Sequence, residues 1–125
     1  MNRIRRRLLI SVIALVTTLG TALAPAAEVA PREVLVLGGT GQLGAEIVRR
    51  LADRGDRVTV FTRPGSDRRL LEGVPVRYAE GDLLNEAEVT AAFAGSRFEY
   101  VIVAVRVEDG DPHFYARFLP ALTAQ

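Results

Sequence analysis

The sequence predicts an α/β protein, a parallel sheet with helices packed on both of its faces. Three observations carry the prediction. Continuous apolar runs of strand length recur along the chain, amphipathic helical patterns separate them, and a glycine-rich turn joins the first run to the first helix. Strands that alternate with helices build parallel layers, and right-handed crossovers fix how they wind. At 125 residues the chain holds one domain. Its 49% hydrophobic and 25% charged residues exclude a disordered tail, a collagen-like repeat and a multi-pass membrane protein.

Residues 34–37 form an uncharged apolar run that stops at Gly38, the pattern of a strand buried on both faces. Over residues 42–54 the period becomes helical. Leu43, Ile47, Val48 and Leu51 share one face, Glu46, Arg49, Arg50 and Asp53 the other, and Gly55 is a C-cap signal. Residues 58–62 read as a second strand. Pro64, Gly65 and Ser66 make a turn, residues 67–71 a short helix and residues 74–79 a third strand. Asn85 caps a helix over residues 86–93, which Gly95 ends. Residues 100–105, from Tyr100 to Val105, form a fourth strand. A polar loop over 108–112 follows, and a last helix starts near His113.

Charge and composition narrow the function. All 16 basic residues are Arg, and Arg3, Arg5, Arg6 and Arg7 crowd the first seven positions. The remainder carries more acids than bases, which argues against a nucleic-acid partner. There is no Cys, and His113 is the single His, so thiolate chemistry, disulfides and zinc clusters are excluded.

The amino terminus reads as an address. A basic stretch over residues 1–7 precedes an uncharged apolar stretch over 8–23 and the small residues Ala22, Ala24, Ala26 and Ala27, the three-part pattern of a secretory signal. Cleavage near Ala26 leaves Ala27 first, whereas cleavage after Ala24 sets Pro25 against the peptidase. The expected division is a signal peptide over 1–26, a linker over 27–32 and one domain over 33–125, exported to the periplasm or beyond. The alternative is a membrane anchor over residues 8–23, a run short of the ~20 residues a span needs. Any membrane contact is expected through this segment alone. Arg6-Arg7-Leu8-Leu9-Ile10 also resembles a twin-arginine signal.

The strongest chemical signal is Gly38-Gly39-Thr40-Gly41-Gln42-Leu43-Gly44, between the first strand and the first helix. It satisfies G-x-G-x-x-G through Gly39, Gly41 and Gly44, and G-x-x-G-x-x-G through Gly38, Gly41 and Gly44. A turn without side chains lets backbone approach a pyrophosphate, and the N–H groups at the helix start hold the anion. With strand before and helix after, this is the context a dinucleotide site requires. An acid at the end of the second strand selects NAD by binding a ribose hydroxyl. This strand ends Phe61-Thr62-Arg63 instead. Arg63, with Arg68 or Arg69 assisting, suits the 2′-phosphate of NADP(H), which is expected over NAD(H).

Residues 34–106 resemble the amino-terminal half of an extended or atypical short-chain dehydrogenase/reductase, with the NmrA-like and flavin-reductase/biliverdin-reductase-B-like branches nearest. The resemblance rests on the glycine loop, on Val58-Thr59-Val60-Phe61-Thr62-Arg63, on Gly81-Asp82-Leu83 and on Val101-Ile102-Val103-Ala104. It implies a Rossmann-type sheet in the order 3-2-1-4. It also implies that Asp82 contacts the adenine amino group, that Leu83 packs near the ring and that Ala104 lies by the nicotinamide-side ribose. The local alternative for Asp82 is an Asx-turn leading to the Asn85 cap. Arg106 departs from the family, which often has Gly or a small polar residue there.

The superfamily's Tyr–Lys pair is absent: Asp82, Ala104 and Leu119 stand four residues after Tyr78, Tyr100 and Tyr115. Tyr115 and His113 lie where cofactor or substrate contacts are expected, with an aromatic helix face shared with Phe114 and Phe118 as the alternative. The resembled family continues with further strands, which makes this chain a truncated product, a fragment or a minimal module. The expected function is NADPH-dependent hydride transfer in a reductase/epimerase-like protein on an unknown small molecule. The alternatives are a non-catalytic NADP(H)-binding sensor or interaction module, and an inactive truncated product. The run over 100–105 is uncharged and β-branched at four of six positions, so an open edge and a homodimer through it are expected.

Overall fold

The computed structural model describes residues 28–106, 111 and 113–124. The expected leader over 1–26 lies outside the described residues, as does most of the polar loop before the last helix. The elements are β1 (Glu33–Leu37), α1 (Gln42–Asp53), β2 (Arg57–Thr62), a 3-10 turn (Arg69–Leu71), β3 (Val76–Glu80), α2 (Glu86–Phe93), β4 (Tyr100–Val103) and α3 (Phe114–Thr123). All strand pairs are parallel, in the order β3-β2-β1-β4.

The apolar strands are buried from both sides because each face has its own cover. On one face Val34, Val36, Val58 and Val60 pack with Ala45 and Val48 of α1 and with Leu71. On the other, Leu35, Leu37 and Phe61 pack with Val89 of α2 and Ala121 of α3. Alternate residues of one strand thus feed two cores, which is why β1 carries no polar residue after Glu33.

Helix ends follow local chemistry. At the end of α1, Gly55 takes φ +90° and donates its N–H to Ala52, while Asp56 donates to Leu51 at 3.0 Å, a Schellman closure. Asn85 caps α2 by accepting from the N–H groups of Ala87 (3.1 Å) and Glu88 (3.4 Å), and Glu88 Oε1 accepts from Asn85 Nδ2 in return.

Four expectations are corrected. Leu43 belongs to no apolar stripe: it is 69% exposed, and α1 instead buries Gly44, Ala45 and Val48. The third strand begins at Val76, because Pro75 offers no N–H and Val74 donates back to Leu71. The 3-10 turn begins at Arg69, whose N–H is taken by the Asp67 carboxylate. The fourth strand stops at Val103 rather than Val105. Its last rung is Ala104 N–H to Leu37 carbonyl, after which β1 turns out of the sheet at Gly38.

Candidate functional site

The site begins where β1 ends. Gly38 has φ +77°, and a Cβ there would meet the Ala104 carbonyl oxygen at 2.6 Å. A Cβ on Gly39 would press on Val60 at 2.9 Å, and one on Gly44 would overlap the backbone of Gly38 and Gly39. These three glycines let the turn, the helix start and the exit of β4 pack together. Gly41 is different. Its backbone is ordinary extended chain, and a Cβ would meet only Gly38 O, at 3.5 Å.

Around Gly41 the backbone presents donors. Gly41 N–H closes the turn on the Gly38 carbonyl at 3.2 Å, and Ala45 N–H makes the first helical bond, to Gly41. The intervening N–H groups of Gln42, Leu43 and Gly44 have no acceptor among the described residues. The first turn of α1 carries no acid, and its cap has no side chain. A helix start whose N–H groups are free of acceptors among the described residues and whose first turn has no acid suits an anion.

A cleft of about 420 Å3 opens at the carboxyl ends of the strands. Gly38 and Thr40 line it from the first turn, and Phe61, Thr62, Arg63 and Ser66 from the end of β2. Gly81, Asp82, Leu83 and Leu84 follow from β3, Val105 and Arg106 from β4, and Asp111 and Phe114 from the start of α3. Crossovers leave β1 and β4 toward opposite faces, and the cleft lies at that switch point.

Of the residues expected in a site, Gly38, Thr40, Arg63, Asp82 and Leu83 line the cleft. Gly39 and Gly44 sit beneath the turn, Gly41, Gln42 and Leu43 are exposed at the helix start, and Ala104 lies under Gly38. Asp82 does form the local turn: Oδ1 accepts from Leu84 N–H at 2.9 Å. Its own N–H donates to Glu88 Oε2 at 2.6 Å, so the cap of α2 also frames the cleft.

The three loop arginines part company. Arg63 has no acceptor for its guanidinium among the described residues. Arg68 and Arg69, expected to assist it, are engaged elsewhere. Arg68 lies over the Tyr78 ring at 4.1 Å and pairs with Glu80, and Arg69 pairs with Asp67 at 2.6 Å. That fork from Arg69 holds the Asp67 carboxyl below its usual range. Tyr115 is committed too, its hydroxyl donating to the Val105 carbonyl at 3.2 Å, and its ring meets Phe114 edge to face and Phe118 at a tilt. The aromatic-face reading of this helix is therefore the one observed, and His113 is exposed without lining the cleft.

Sequence reasoning named Phe61, Thr62, Gly81, Val105 and Arg106 beside the motifs without assigning them to the site, and missed Ser66, Leu84, Asp111 and Phe114 as lining residues. Only Ser66 carried a signal, being three residues after Arg63 in a turn. Phe114 is brought in by helix α3, whose approach no local pattern specifies.

Fold and cleft together define a Rossmann-type domain with a glycine-rich turn at the mouth of the cleft. Residues 34–117 match the NAD dependent epimerase/dehydratase family, and the chain belongs to that family. Sterol demethylase protein B of Methylococcus capsulatus is 41% identical over 78 residues, 62% of this chain and 24% of that protein. The chain thus spans about a quarter of that relative's length. A UDP-glucose 4-epimerase of Thermus thermophilus, solved in complex with NAD, is 34% identical with a TM-score of 0.52, over 60% of this chain and 24% of that one. AtPrR2, solved with NADP+ and (+)pinoresinol, shares the fold at 24% identity and a TM-score of 0.61, over 77% and 34% of the two chains.

Proposed function

We propose that this chain is the dinucleotide-binding part of an epimerase/reductase-like short-chain dehydrogenase/reductase that uses NADPH for hydride transfer. The observation that carries the proposal is Gly41. The protein's own packing does not require a glycine there, yet the position stands over three unclaimed N–H groups. A ligand that must come close to the backbone accounts for both facts. The residues present fit the cofactor. Gly38 to Gly44 would hold the pyrophosphate, Asp82 and Leu83 the adenine, and the wall at Ala104 the nicotinamide-side ribose. Arg63, which pairs with no carboxylate among the described residues, supports NADP(H) over NAD(H). Bound there, NADPH would supply the hydride, and the lining residues would hold and orient it. The finer branch, NmrA-like or biliverdin-reductase-B-like, rests on the motifs around Arg63 and Asp82.

Titration of the purified chain by NADPH fluorescence tests this reading. Gly41→Val is expected to abolish binding and keep the circular dichroism of the wild type. Unchanged affinity in the variant would overturn the assignment.

We also propose that residues 1–26 are an export signal, 27–32 a linker and 33–125 the domain. The basic, apolar and small-residue sequence supports it. Terminal sequencing of the cell-fractionated protein is expected to find Ala27 first, outside the cytoplasm. An intact Met1 in the membrane fraction would favour an anchor.

A further inference from the structure

The loop between β2 and β3 carries three guanidinium groups of unequal circumstance. Arg63 and Ser66 line the cleft, joined by a turn in which Ser66 N–H donates to the Arg63 carbonyl at 3.2 Å. Just beyond, the loop is fastened from two sides. Arg49 of α1 donates to the Leu70 carbonyl at 2.5 Å, and Leu71 is buried in the core. Arg68 reaches the other way, over the Tyr78 ring and paired with Glu80, residues two apart on one side of β3.

Glu80 is the important partner. It is the register neighbour of Thr62, the residue immediately before Arg63, and it precedes the cleft residues Gly81 and Asp82. An unpaired carboxylate at Glu80 would compete for the Arg63 guanidinium and repel an incoming phosphate. Arg68 neutralises that carboxylate from its place over the Tyr78 ring. Arg69 cannot substitute, because Asp67 already takes it.

We infer that Arg68 is a specificity-positioning residue: by holding Glu80 against β3 it keeps Arg63 free for a 2′-phosphate at the cleft rim. This rests on the proposed role of Arg63 and adds the device that makes it available. Arg68 itself touches no phosphate.

The test compares 2′,5′-ADP with 5′-AMP by calorimetric titration of the full chain, with circular dichroism of each variant. The wild type is expected to prefer 2′,5′-ADP. Arg68→Ala is expected to lose about two- to fivefold of that preference, the reach of a charge pair this exposed. Arg68→Lys, which keeps a cation on Glu80, should retain most of it. The double variant Arg68→Ala/Glu80→Gln should regain it, because the competing carboxylate is gone; a merely structural role for Arg68 predicts no such rescue. A preference that survives Arg68→Ala, or a double variant no better than the single, overturns the inference and leaves Arg63 in place. A wild type that does not discriminate the two nucleotides overturns the role of Arg63 itself. Should Arg68→Ala fail to fold, Glu80→Gln against Arg68→Lys decides: the inference requires both to keep the preference, and loss in either contradicts it.

Discussion

At Gly41 and Gly44 the same residue type answers two different demands. A methyl group on Gly44 would overlap the backbone of the turn, whereas one on Gly41 meets only ordinary contact. Gly44→Ala is therefore expected to destabilise the fold by about 1–3 kcal/mol, the cost of overpacking without room to relax. Gly41→Ala should cost less, about 0.5 kcal/mol or a few degrees of melting temperature, because it loses only the preference for Gly over Ala at an N-cap. Thermal unfolding of both variants checks this, and equal loss in the two would contradict the division. The sequence reveals the glycine spacing but not which glycine serves packing and which the ligand, since the deciding neighbours are the Ala104 carbonyl and Val60. The same holds for the arginines. Arg63 is legible from its place after β2, but the partners of Arg68 are ten and twelve residues away, on a strand that pairs with β2 only in the fold.

At the scale of elements, Asp56 joins the end of α1 to the start of the sheet. Burial pushes its carboxyl up, but Arg54, donating from Nε at 2.7 Å, and the Arg32 N–H at 3.1 Å more than offset this and hold it below 3.8. A depressed folded value means that the ionised form stabilises the fold at neutral pH. That contribution is complete above the unfolded value and is lost as pH falls through the folded one. Asp56→Asn is expected to cost about 1.5–3 kcal/mol at pH 7, the weight of hydrogen bonds to a charged group. The gap between variant and wild type should narrow below pH 3.8. Denaturant titrations at pH 7 and pH 3 check the sign, and a gap that widens in acid would refute it. Element order and most boundaries are legible because apolar runs, Gly55 and Asn85 act locally. Leu43 was misread because apolarity on a helix does not say whether a core or a ligand lies opposite.

Across the whole molecule the two sheet edges differ. The β3 edge carries Arg77 and Glu80, while β4 presents Tyr100, Val101 and Val103 at 49%, 39% and 37% exposure. Among the described residues nothing pairs with the outer side of β4. An uncharged, β-branched open edge recruits another strand. The chain is expected to self-associate in light scattering, and Val103→Lys should lower the associated fraction severalfold. Ile102 is the wrong site for that change, because it packs against the valine core beneath α1. A monodisperse wild-type monomer would contradict the expectation. The sheet order was legible through the crossover rule and the glycine turn. The closure of the cleft by Asp111 and Phe114 was not, since it depends on how α3 docks against α2.

The function proposed for this chain requires the turn after β1 to hold a dinucleotide pyrophosphate. Amide chemical shifts of the 15N-labelled chain, followed through a titration with NADPH, test it most directly. Saturable shifts are expected, largest at Gly41, Gln42 and Leu43, with smaller ones at Arg63 and Asp82. Saturable shifts that spare the Gly38 to Gly44 turn, or no shifts at all in a folded chain, would contradict it.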